Sequence, residues 1–76
     1  MPHVIVKLLS GRSAQQKVKI ADEATTAIMT TTGNREAAVS VSIEDIEPDD
    51  WVNQVYQPDI IGRADILSKK PGYEPR

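Results

Sequence analysis

The chain has 76 residues, with nine Lys and Arg against 11 Asp and Glu, one His and no Cys. That composition describes one small domain and excludes a disulfide scaffold, a thiolate metal site, a multi-histidine metal centre and the basic stripe of a general nucleic-acid binder. With 39% hydrophobic residues and no Phe, so short a chain buries only about 60–65% of the surface its unfolded form exposes, and a partner subunit is often needed.

His3 to Leu9 (HVIVKLL) is rich in β-branched residues and bounded by Pro2 and by Ser10-Gly11. It reads as a strand, largely buried because it hardly alternates. A helix follows. Ser13 is a good N-cap and Gln16 completes a capping box. Ala14, Val18, Ala21, Thr25 and Ile28 recur at helical spacing as one face, with Gln15, Lys19, Glu23, Thr26 and Thr30 opposite. Gly33-Asn34 supplies the stop. Val39 to Ile46 (VSVSIEDI) alternates cleanly, as a half-buried strand does. Strand, helix, strand is a βαβ unit, so the strands are expected to be parallel with a right-handed crossover. Two strands and one helix cannot close a core alone, and a second copy is the simplest cover.

After Ile46 the pattern shifts. Glu47-Pro48-Asp49-Asp50 places Pro and acids where a helix would start, and Trp51, Val52 and Val55 follow at helical spacing. Pro58 interrupts. Ile60, Ile61, Ile66 and Leu67 then suggest a second short helix weakened by Gly62, and Lys69 to Tyr73 reads as a turn and an extended tail. No segment reaches the ~18–20 apolar residues of a membrane span, and Met1-Pro2-His3 has no basic n-region of a signal peptide. A cytoplasmic protein is expected, with no membrane or nucleic-acid partner.

Three residues suggest chemistry. A small residue after Met1 favours removal of that methionine, which would expose Pro2 as a secondary amine held by a rigid ring at the start of a strand. Burial or a neighbouring cation would lower the pKa of that amine below the ~7.7–8.0 of an ordinary terminus. Arg12 lies just outside the helix N-terminus, where free N–H groups favour anions, and its guanidinium can grip a carboxylate through two parallel bonds. Trp51 is the one Trp, a core or interface anchor or the apolar wall of a pocket. His3 reads as packing or surface. Glu44, Asp45, Glu47, Asp49 and Asp50 lack EF-hand spacing and read as a solvated strand end and helix cap, and Lys69 and Lys70 as a solvated pair.

The Met-Pro start, one strand, Gly11-Arg12-Ser13, a helix opening with Gln15-Gln16-Lys17, and an alternating strand together resemble the 4-oxalocrotonate tautomerase family. The resemblance runs from Pro2 to about Trp51. Trp51 and the Lys69-Lys70-Pro71-Gly72-Tyr73 ending look like the PptA-type bacterial subgroup, whose members are dimers. It implies an α/β fold: a small β-α-β tautomerase-like protomer over residues 1–76, with a short C-terminal helical segment, assembled as a homodimer rather than a hexamer. It also implies a cofactor-independent isomerase that moves a proton between keto and enol forms of small 2-oxo acids. On matching positions Pro2 is the general base and acid, Arg12 binds the substrate carboxylate, and Trp51 lines the site. The family's second arginine falls on Ser40 here, which fits a monocarboxylate enol better than a dicarboxylate. Hydration or dehalogenation by the same proline, and a non-enzymatic small oligomer that binds a protein, are the rival readings.

Overall fold

The structure is a computed structural model that describes residues 1–74. Strand β1 spans His3–Leu9, helix α1 Ala14–Thr32 and strand β2 Ser40–Ile46. The strands are parallel, in a register running from His3 opposite Ser40 to Leu9 opposite Ile46. A further bond from Ser10 N–H to the Ile46 carbonyl at 2.9 Å continues the ladder past β1.

Both ends of α1 are chemically specified. The Ser13 hydroxyl accepts the Gln16 N–H at 3.1 Å, and the Gln16 side chain accepts the Ser13 N–H at 3.0 Å, which closes the capping box. At the other end Gly33 adopts φ 77°, a left-handed turn that favours glycine, and its N–H bonds to the Met29 carbonyl. The inner face of α1 differs from the expected one. Lys17, Ile20, Ala21, Ala24, Thr25, Ile28 and Met29 are the half-buried positions, whereas Ala14 and Val18 are exposed, Val18 by 61%. Lys17 explains the rotation: its stem packs inward and its ammonium reaches Asp45 on β2 at 2.8 Å.

The sheet has two unlike faces. Val4, Val6 and Leu8 are half-buried with Val41 and Ile43, on the side of Asp45 and therefore of α1. His3, Ile5, Lys7 and Leu9 share the opposite face with Ser40, Ser42, Glu44 and Ile46. β1 is therefore not largely buried in the single chain: Ile5 is 61% exposed and Leu9 46%.

The C-terminal segment lies over this second face. Two short 3₁₀ turns, Pro48–Asp50 and Ala64–Ile66, flank a π-helix at Val52–Ile61. An α-helix was the expectation, broken at Pro58. The wider turn instead takes Pro58 into its interior, relieving the clash an α-helix would impose between the proline ring and the carbonyl four residues back. The Gly62 N–H closes the segment on the Gln57 carbonyl at 2.8 Å. Among the described residues only Ile46 and Val55 are buried hydrophobics, 3% and 5% exposed, one from β2 and one from the π-helix. No helix of the described residues is long and apolar enough to cross a membrane.

Candidate active site

Pro2 precedes β1 and is half-buried. Its carbonyl accepts the Ser40 N–H at 3.2 Å, which pins it beside the start of β2. Next to it His3 Nδ1 and Ser40 Oγ are hydrogen-bonded at 2.7 Å. An imidazole–hydroxyl pair thus flanks Pro2, and Ser40 is one of its members. Met1 is fully exposed.

Arg12 is held at the other end of β1. Gly11, at φ 116°, makes the turn that only glycine accommodates readily, and Ser13 then caps α1. Arg12 is exposed and has no salt-bridge partner among the described residues. The first turn of α1 carries no acid, so the partial positive charge of this 19-residue helix adds to the guanidinium without a counter-charge. A hollow of about 410 Å³ opens here, lined by Leu8, Arg12, Gln16, Lys19, Ile20 and Glu23. Two cations, Arg12 and Lys19, against one acid, Glu23, beside the apolar Leu8 and Ile20 suit a carboxylate with a hydrocarbon tail.

Trp51 is half-buried at the entry to the π-helix. It borders a second hollow of about 430 Å³ between the outer face of β1 and the C-terminal segment, with Ile5, Lys7, Val55, Asp59 and Leu67 among the lining residues. Lys7 reaches across to Asp59 at 2.6 Å. The hydrogen bond to Asp59 holds the Lys7 ammonium above its ordinary pKa of 10.5, and attraction to Asp59 and Glu44 acts in the same direction, against desolvation. The Trp51 indole N–H donates to the Tyr73 hydroxyl at 2.9 Å.

The single chain does not bring the three residues together. The resemblance assigns Pro2 and Arg12 to one site, but the seven residues of β1 separate them. At ~3.3 Å per residue an extended strand of that length spans roughly 20 Å. The Lys7–Asp59 tie and the Tyr73 contact were not expected. A lysine inside an apolar strand was a cue for the first. Nothing local marks Tyr73, whose partner is distant in sequence.

The model of the family described as "Tautomerase enzyme" matches residues 2–57. The chain belongs to that family. A "Probable tautomerase" of Xylella fastidiosa is 45% identical over 73 residues, covering 96% of this chain and 89% of that protein. "Tautomerase PptA" of Cronobacter sakazakii is 36% identical over 75 residues, covering 97% and 99%. Among solved structures, TomN, a 4-oxalocrotonate tautomerase homologue in the tomaymycin biosynthetic pathway, superposes with a TM-score of 0.65 at 36% identity, over 66% of this chain and 77% of that one. Tautomerases are isomerases, and the matched stretch takes in Pro2, Arg12 and Trp51.

Proposed function

We propose that this protein is a cofactor-independent cytoplasmic tautomerase of small 2-oxo acids, with the Pro2 amine, freed by loss of Met1, as general base and acid. The observation that carries the reading is the family match over a stretch that contains Pro2, Arg12 and Trp51. Pro2 nitrogen takes the proton of the enol hydroxyl, the carbonyl forms, and the electrons of the carbon–carbon double bond recapture that proton at carbon. One group must accept and return the proton near neutral pH, and such transfer contributes typically ~10²–10⁴-fold.

The working unit is a homodimer. A two-fold axis that pairs the free edges of two β1 strands makes one four-stranded sheet with the two β1 strands antiparallel. The N-terminal end of one β1 then lies beside the C-terminal end of the other. Pro2 of one protomer meets the partner's Arg12, which the length of β1 forbids within one chain. Arg12 grips the substrate carboxylate, and its charge disfavours protonation of the amine. Trp51 supplies apolar wall. Pro2 is flanked by His3 and Ser40 rather than a second guanidinium, so the favoured substrate is a monocarboxylate, aryl or alkyl.

An ultraviolet assay on enols of several 2-oxo acids tests this. Monocarboxylates should have the higher kcat/KM, and a dicarboxylate preferred over all of them would overturn the assignment.

A further inference from the structure

Trp51 has one hydrogen-bond donor, its indole N–H. That donor is engaged by a residue 22 positions away, Tyr73, through a 2.9 Å bond to the hydroxyl. Tyr73 is itself oriented. Its ring packs on Tyr56 with centroids 6.0 Å apart and planes tilted by 41°, a separation within the contact range of aromatic pairs. Tyr56 adjoins the buried Val55 on the π-helix, and the half-buried Pro71 restricts the tail just before Tyr73. The indole is thus held from two sides, by the π-helix that carries it and by the tail that returns over it. Tyr73 is 47% exposed, so the contact is no part of the fold's core.

We propose that Tyr73 is a positioning residue: its hydroxyl fixes the indole of Trp51 in one orientation, so the C-terminal tail completes the apolar wall. The consequence for catalysis rests on the reading of Trp51 as a wall of the substrate site; the fixing of the indole does not. An indole free to turn would admit water beside the site and seat the substrate less closely. The effect of Tyr73 passes through Trp51.

Trp51 is the one tryptophan of the chain, so emission excited where only indole absorbs reports the surroundings of this side chain. In full-length Tyr73→Phe, which keeps the ring and loses the acceptor, emission should move to longer wavelength and anisotropy should fall, with the circular dichroism of the fold unchanged. A spectrum and anisotropy identical to the parent would overturn the proposal. On an aryl enol the same variant should lose about 3- to 10-fold in kcat/KM, the worth of one neutral hydrogen bond. In a Trp51→Phe background, which has no N–H to hold, Tyr73→Phe should change kcat/KM by less than about twofold. An equal loss in both backgrounds would mean that Tyr73 acts elsewhere, and would overturn it as well. If Trp51→Ala leaves kcat/KM untouched, the wall reading of Trp51 fails, while the fluorescence result still decides whether Tyr73 fixes the indole.

Discussion

Two impaired variants should restore one another when their subunits exchange. The first carries an uncleavable residue before Pro2, which turns its nitrogen into an amide that cannot accept a proton. The second is Arg12→Ala, expected to lose about 2–4 kcal/mol of transition-state stabilisation, roughly 30- to 1,000-fold in kcat/KM. Roughly 20 Å of strand separates Pro2 from Arg12 within a chain, so in the proposed dimer each site draws them from different protomers. A mixed dimer then holds one site with both defects and one with none. Equal amounts at exchange equilibrium give about half mixed dimers, and the pool should recover about a quarter of parental activity. The assay is enol conversion before and after co-incubation under mild denaturant. Sites drawing both residues from one chain would recover nothing beyond the mean of the two variants, and that result would refute the cross-subunit geometry. Light scattering that shows a stable monomer would refute it too.

A β-carbon on Gly62 would lie 2.7 Å from the Pro58 carbonyl oxygen and 3.0 Å from that of Gln57. Backbone must give way, so Gly62→Ala should lower unfolding stability by about 1–3 kcal/mol in urea melts. Ser13→Ala removes the acceptor that serves the Gln16 N–H and should cost about 1 kcal/mol in the same assay. The Lys7 pKa is raised above 10.5 by Asp59, so its contribution to stability is fully present below that value and is lost as pH rises through the folded pKa. The Tm of the parent should therefore fall above pH 10.5 more steeply than that of Asp59→Asn, and parallel curves would refute the tie.

Both strands, α1 and its two caps were legible because each rests on local chemistry: β-branched runs, a Ser-x-x-Gln box and a glycine stop. The inner face of α1 was misjudged by ranking residues on apolarity, when Lys17 packs its stem inward and Val18 is left outside. The π-helix was hidden because Pro58 signals a break in an α-helix and says nothing of a wider turn. Pro2, Arg12 and Trp51 were legible as residue types through resemblance. Their separation was not, since the resemblance assigns the residues to one site without saying which protomer supplies each, and an extended strand carries its ends far apart. Tyr73 was passed over as tail because its role depends on a contact with Trp51 that no periodicity encodes.

The central claim is that the free amine of Pro2 is the base. It is tested most directly by intact mass and a pH–rate profile on the same sample. Protein lacking Met1 should show kcat/KM rising with pH to a plateau, through a pKa below the ~8 of an ordinary terminus, because in the proposed dimer burial and the partner's Arg12 would disfavour the protonated amine. Protein shown by mass to retain Met1 should be inactive. Full turnover by the Met1-bearing chain would contradict the mechanism.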